Sequence, residues 1–245
     1  MTHQPFEIIG ETRPSRWLVT CDHASHAVPE AVGGTLGLSE GEMGRHIAFD
    51  IGAAGVTRRL AELLDAPAIL SRFSRLVIDP NRGEDDPTLV MKLYDGTIVP
   101  GNRHADAAEI ERRKALYYRP YHAALAGLAA RRPDTVLCAV HSFTPRLVGR
   151  HPRPWHVGLL YAADDRLARP LLASLSAEPD LCVGDNEPYS GQLAGDTMDR
   201  HGLQPGRPHI LIELRHDLIA SEAGQRAWAE RLAPHLDAAL AAAQV

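Results

Sequence analysis

The sequence is poor in cysteine and has no pair of cysteines at the spacing of a redox motif. Its three cysteines, Cys21, Cys138 and Cys182, are scattered along the chain, and two of them lie inside apolar runs. A disulfide framework is therefore not expected. We expect buried, reduced thiols in a cytoplasmic protein.

The sequence also lacks long hydrophobic runs and an excess of positive charge. No apolar run approaches the ~20 residues of a membrane span, and the first residues lack the basic and then apolar pattern of a signal peptide. A formal net charge of −5 gives no reason to expect nucleic acid or a membrane as a partner. With 44% hydrophobic and 23% charged residues, the composition is typical of a soluble globular protein.

Short apolar runs alternate with segments of helical periodicity. The apolar runs predict strands at residues 17–21, 68–70, 74–78, 135–140, 156–161 and 209–215. Strands that alternate with helices predict an α/β fold, a three-layer αβα sandwich around a central, mostly parallel mixed sheet. No repeat or linker divides the chain. We therefore expect residues 1–245 to form a single domain, with residues 1–15 as an edge segment or a disordered lead.

A helix is predicted to begin after Ser39, because Glu42 follows three residues later and completes a capping box. Helical spacing continues to residue 64 and places His46 and Asp50, four residues apart, on one face of this helix. Further helices are predicted at residues 106–131, 164–175 and 221–243. The segment 83–104, rich in Asp, Gly and Pro, is interpreted as a long loop of the kind that is often functional.

Four of the predicted strands end in polar clusters. The clusters are His23 with His26, Asn81 with Arg82, His141 with Ser142, and Glu213 with Arg215. Ligands of open α/β sheets bind at the carboxyl ends of the strands, so these side chains are candidates for one common site. Histidine and carboxylate side chains are typical zinc ligands. A glutamate inside an apolar strand is costly to bury unless it is used or paired, which favours a catalytic role for Glu213.

The order of these clusters resembles that of the N-formylglutamate amidohydrolase family, which is related to zinc carboxypeptidases and aspartoacylases. The resemblance covers nearly the whole chain. It is carried by CDHAS at residues 21–25, HIAFDIGA at 46–53, SRLVIDPNR at 74–82, HSFTP at 141–145, NEPYS at 186–190 and IELRHDLI at 212–219.

The resemblance implies zinc-dependent hydrolysis of the amide bond of an N-acylated amino acid, such as N-formyl-L-glutamate, and a fold like that of the zinc exopeptidases. His23 and His141 are implied as metal ligands, and Glu213 as the general base. Asp50 and His26 are equal candidates for the third ligand. The partner would be a small anionic N-acyl amino acid.

The resemblance also implies a substrate-binding set. Asn81, Arg82 and Arg75 would hold a substrate carboxylate, since a guanidinium matches a carboxylate with two parallel hydrogen bonds. Tyr189, Asn186 and His201 lie in loops that the family places near the pocket. Two alternatives stay open: a carboxypeptidase or deacylase that acts on another small N-acyl or peptide substrate, and a metal-binding or carboxylate-binding protein without turnover.

Overall fold

A seven-stranded sheet forms the centre of the protein in a computed structural model, which describes residues 4–243. The spatial order of its strands is β1-β3-β2-β6-β9-β7-β8. Strands β3, β2, β6 and β9 are mutually parallel, whereas β1 and β7 run antiparallel to their neighbours β3 and β9. The strands are β1 Phe6–Ile9, β2 Trp17–Cys21, β3 Ala68–Ser71, β6 Val136–Phe143, β7 Val157–Leu160, β8 Val183–Asp185 and β9 His209–Arg215.

Helices cover both faces of this sheet. The helices are α1 Glu40–Met43, α2 Ala53–Leu63, α3 Ala107–Arg113, α4 Arg119–Ala129, α5 Ala168–Ser176 and α6 Glu222–Ala243. One face of the sheet packs on α2, α5 and α6, and the other packs on α4 and on residues of the connecting turns. The predicted three-layer αβα architecture with a mostly parallel mixed sheet is confirmed. In the part of the chain that the structure describes, no helix combines the length and the apolar character needed to cross a membrane.

The predicted strand at residues 74–78 is wrong, because this segment forms a turn. Ser74 accepts hydrogen bonds from the backbone N–H groups of Leu76 and Val77, through its side chain and its carbonyl respectively. Its hydroxyl donates to the carbonyl of Ala48. The apolar side chains are buried in the core nonetheless, so the burial that produced the apolar pattern comes from a turn and not from a sheet ladder.

The predicted helix after Ser39 is interrupted. The capping box of Ser39 and Glu42 is confirmed, but α1 ends at Met43 and α2 begins only after Gly52. Gly52 adopts a left-handed conformation with φ of 80°, which breaks helical continuity. His46 and Asp50 therefore lie on turns between the two helices and not on one helical face.

The long segment between residues 83 and 104 contains more structure than predicted. It carries a short antiparallel hairpin of β4, Leu93–Tyr94, and β5, Thr97–Ile98. The predicted helix at residues 106–131 begins as expected, with the Asp106 side chain accepting a hydrogen bond from the N–H of Glu109. A wide π-helical turn at Lys114–Tyr118 then links α3 to α4. Near the start of the chain, where an edge segment or a disordered lead was predicted, β1 forms an edge strand of the sheet; residues 1–3 lie outside the described part.

Replacement of Gly52 by alanine is expected to destabilise the protein. A Cβ at this position would lie 2.1 Å from the carbonyl oxygen of Ile219, in a backbone conformation that costs a non-glycine residue about 1–3 kcal/mol. The matched control is Gly127→Ala in α4, where no atom lies within 4 Å of the added Cβ. This control should stabilise the helix by about 0.5–1 kcal/mol. Urea unfolding measures both changes, and equal midpoints for the two variants would contradict the prediction.

Candidate active site

Three strands of the parallel sheet bring their polar residues to one edge. His23 is the second residue after β2, His141 lies near the end of β6, and Glu213 lies opposite His141 on the adjacent strand β9. All three side chains are buried. Two imidazoles and a carboxyl group therefore lie at the same edge of the sheet. The sequence pattern predicted this proximity of the strand ends.

Asp50 lies between the two imidazoles. Its Oδ2 atom is 2.9 Å from Nδ1 of His141 and 3.3 Å from Nδ1 of His23, and it also accepts a hydrogen bond from the backbone N–H of Ser142. The potential ligand atoms of His23, Asp50 and His141 lie within 4.8 Å of one another. Donors of a tetrahedral zinc ion, with bonds of ~2.0–2.2 Å, lie about 3.3 Å apart. The distances of 2.9 and 3.3 Å from Asp50 Oδ2 to the two Nδ1 atoms are close to this value, so the donor types and these distances fit a metal ion.

The second nitrogen of each imidazole has a buried carboxylate as its partner. Asp79 Oδ1 accepts a hydrogen bond from Nε2 of His23 at 2.7 Å, and Asp22 Oδ2 accepts one from Nε2 of His141 at 3.2 Å. Such carboxylate partners fix the orientation of a ligating imidazole and raise its basicity. Each ring thus directs Nδ1 toward Asp50. The sequence reasoning gave Asp22 and Asp79 no role, although each follows an apolar run directly and could have been considered for that reason.

Arg75 supplies the positive charge that these carboxylates require. Its guanidinium contacts Asp50 Oδ1 at 3.3 Å and Asp79 Oδ2 at 2.9 Å. Burial alone would raise the pKa of Asp79, but the positive charges of His23 and Arg75 hold that pKa well below its usual range. Arg75 therefore forms ion pairs with two carboxylates of the site itself. The resemblance implied that it holds a substrate carboxylate.

Glu213 differs from the other buried acids because it lacks a partner. Among residues 4–243, no hydrogen-bonding group contacts its buried Oε2 atom. Burial, which is the largest cause, and the nearby Asp50 raise the pKa of Glu213 against the opposing effects of His141 and Arg75, with a net result of about 7. A carboxyl group with a pKa near neutrality can accept and release a proton under ordinary conditions.

A cavity of about 140 Å³ opens in front of these residues. It is lined by the metal-binding group and Glu213, and also by Asn81, Arg82, Arg75 and Tyr189 of the predicted substrate-binding set. Arg82 donates to the carbonyl of Asn81 and to the hydroxyl of Thr88. No carboxylate in the described part of the chain pairs with Arg82, which leaves its charge available to an anion in the cavity. His46 also lines this cavity, although the sequence pattern placed it only on the same helical face as Asp50.

Three residues of the predicted site lie elsewhere. His26 is exposed and packs its ring on Phe49, outside the group formed by His23, Asp50 and His141, so the geometry favours Asp50 as the third ligand. Asn186 does not line the cavity. It accepts hydrogen bonds from the N–H groups of Tyr161 and Gly191, and these bonds order a loop.

His201 is also absent from the wall of this cavity. It is buried and stacks on His122, with Nε2 2.9 Å from Nδ1 of that residue. His122 Nε2 in turn donates to the carbonyl of Pro80, which directly precedes Asn81. His201 therefore contacts the cavity wall only indirectly. Together with His122 it supports the turn that carries Asn81 and Arg82. Burial lowers the pKa of His201 to about 4 and that of His122 to about 3, so both rings are neutral near pH 7.

The comparisons with known proteins agree with this geometry. A family model described as N-formylglutamate amidohydrolase matches residues 15–220. The crystal structure of a gene product from Agrobacterium tumefaciens is 34% identical and superposes with a TM-score of 0.94, over 100% of this chain and 98% of that one. An N-formylglutamate amidohydrolase from Ralstonia eutropha is 23% identical with a TM-score of 0.70, over 98% of both chains, which shows a shared fold. No curated protein matched the sequence.

The fold and the family match define the class of protein: it is a hydrolase that acts on carbon–nitrogen bonds other than peptide bonds. More particularly, the chain belongs to the N-formylglutamate amidohydrolase family. The resemblance noted in the sequence is thereby confirmed. Within the site, the buried group of His23, Asp50 and His141 could bind a metal ion.

Replacement of Asp79 or Asp22 by asparagine is expected to weaken metal binding by about 10–100-fold, the usual effect of removing a carboxylate partner from a ligating imidazole. Zinc affinity is measured by competition with a chromophoric chelator. The control is Asp85→Asn, because Asp85 is exposed on the loop after Arg82. If both buried variants bound zinc as tightly as the control, the assignment of these imidazoles as ligands would be wrong.

Proposed function

We propose that the protein hydrolyses the amide bond of a small anionic N-acyl amino acid, with N-formyl-L-glutamate as the first candidate, and that it uses zinc or another divalent metal ion. The observation that carries the proposal is the unpaired, buried Oε2 atom of Glu213 beside the group of His23, Asp50 and His141. The family supports the substrate class.

His23, His141 and Asp50 would hold the metal ion. When bound there, a divalent cation would lower the pKa of a water molecule and polarise the carbonyl group of the substrate. The carboxylates of Asp79 and Asp22 would keep the imidazoles oriented for this role, because each accepts a hydrogen bond from Nε2. Ser142 fixes Asp50 through its backbone N–H.

Glu213 would move the proton. Its carboxylate accepts a proton from the attacking water at Oε2 and, once protonated, releases it to the nitrogen atom of the leaving amine. This transfer requires a group that takes up and loses a proton near neutral pH. Burial provides that property, since it raises the pKa of Glu213 to about 7.

Arg82 would bind a carboxylate of the substrate. Its guanidinium lines the cavity and has no carboxylate partner among the described residues. Asn81 is held beside it, because its side-chain oxygen accepts a hydrogen bond from the N–H of Thr197 and its own N–H donates to Asp79. The last contact ties the substrate-binding turn to the carboxylate that orients His23.

Glu213→Gln is expected to lower kcat for N-formyl-L-glutamate by about 10²–10⁴-fold, because an amide cannot accept the proton. The zinc content should not change. Formate release measures the rate, and elemental analysis of protein purified without chelator measures the metal. Glu187→Gln, an exposed change on the loop that carries Tyr189, is the control. Full activity of Glu213→Gln would overturn its assignment as the base, and full activity of metal-free wild-type protein would overturn the metal requirement.

Arg82→Met is expected to raise KM by about 10–100-fold, which corresponds to the loss of a charged hydrogen bond of about 1.5–3 kcal/mol. Its effect on kcat should be smaller than that of Glu213→Gln, since Arg82 contacts neither Glu213 nor the metal-binding group. Steady-state kinetics separate the two parameters. The control is Arg103→Met, an exposed arginine on the turn before α3. An unchanged KM for Arg82→Met would exclude Arg82 as the carboxylate-binding residue.

A further inference from the structure

A second and larger cavity, of about 370 Å³, adjoins the site. The cavity that contains Glu213 measures only about 140 Å³, whereas pockets for small ligands usually span about 300–1,000 Å³. The two cavities share part of their walls. The residues that line both are Leu160, Gly191, Leu193, Asp196 and Leu211. A substrate bound at Glu213 could therefore extend a substituent toward the second cavity, which is the larger of the two.

The walls of the second cavity are predominantly aliphatic. Besides the shared leucines they include Ala162, Met198 and Leu203, and no lysine or arginine is present in its described lining. Its two carboxylates are already engaged, because Asp196 accepts from the N–H of Asp199 and Asp199 accepts from the N–H of Gly195. These carboxylates would repel an anion, so the chemistry of the cavity suits an uncharged aliphatic group.

We propose that the second cavity receives an aliphatic substituent of the substrate, so that the enzyme accepts N-acyl amino acids that carry several carbons beyond a formyl group. The inference rests on the proposed function and specifies its substrate class. The substituent comes either from the acyl chain or from the side chain of the amino acid, since both are attached to the amide that is cleaved. Burial of each methylene group contributes about 0.8 kcal/mol, which is about fourfold in affinity.

Two series of compounds test the proposal on the zinc-loaded protein. The first varies the acyl chain of an N-acyl-L-alanine from formyl through acetyl and butanoyl to hexanoyl. The second varies the side chain of an N-formyl amino acid from L-alanine to L-norvaline and L-norleucine, with N-formyl-L-glutamate as the reference. We expect Kd for the Glu213→Gln variant to fall, and kcat/KM of the wild-type protein to rise, by about fourfold per methylene in one of the series. The series that responds identifies the source of the substituent.

Filling the cavity should abolish this gain. Ala162 is half-buried and lines only the second cavity, and Ala163 lines it at an exposed position. Ala162→Phe and Ala163→Phe should remove the chain-length dependence while N-formyl-L-alanine is unaffected. The matched control is Ala173→Phe, at an exposed position of α5 that lines neither cavity. Because Ala163 and Ala173 are exposed, these two variants keep the comparison valid even if Ala162→Phe does not fold.

The outcomes separate the two proposals. Flat Kd values across both series, or a chain-length gain that persists in Ala163→Phe and Ala162→Phe, would overturn the inference about the second cavity. Graded Kd values without hydrolysis of any compound, N-formyl-L-glutamate included, would support the cavity and overturn the proposed hydrolytic function.

Discussion

The site depends on one arrangement of buried charge, in which Asp50 is held between the imidazoles of His23 and His141. A buried carboxylate costs several kcal/mol unless positive groups and hydrogen bonds compensate it. Here Arg75 and the N–H of Ser142 complete the compensation. The same contacts link the turn before α2, the segment after β2, the turn after β3 and the end of β6. The charge arrangement therefore determines how these four segments meet.

The sequence was sufficient for the central strands β2, β6 and β9 and for the strand-end residues of the site. A strand buried on both faces must be apolar throughout, so the runs at β2, β6 and β9 were visible as interruptions of the polar background. A polar residue at or near the carboxyl end of such a run is expected at the carboxyl edge of the sheet, where ligands bind. That rule placed His23, His141 and Glu213 together, although they are far apart in sequence, and the structure confirms their proximity.

The remaining parts of the site could not be predicted from local pattern, because they depend on contacts between distant segments. Periodicity placed Asp50 on a helix, whereas α1 ends at Met43 and the left-handed Gly52 precedes the start of α2, so Asp50 lies between the two helices. The apolar residues at 76–78 are buried in a turn. Their hydrophobicity is that of a buried strand, so the pattern alone does not distinguish the two. His26 has the spacing of a ligand, yet its position after the strand turns it toward Phe49. Nothing in residue type distinguishes Asp79, which orients a ligand, from a solvated turn aspartate.

Glu213 shows how function and stability diverge in this site. An unpaired buried polar group costs about 1–3 kcal/mol, and every other carboxylate around the metal-binding group has at least one partner. A sequence selected for stability alone would place an apolar residue at this position of β9, between Ile212 and Leu214. In the proposed mechanism this carboxyl group is the proton acceptor, fixed in position by the sheet and with a pKa raised toward neutrality. The strand supplies the rigidity, and burial supplies the raised pKa, so the feature that weakens the fold is the one that equips the site for hydrolysis.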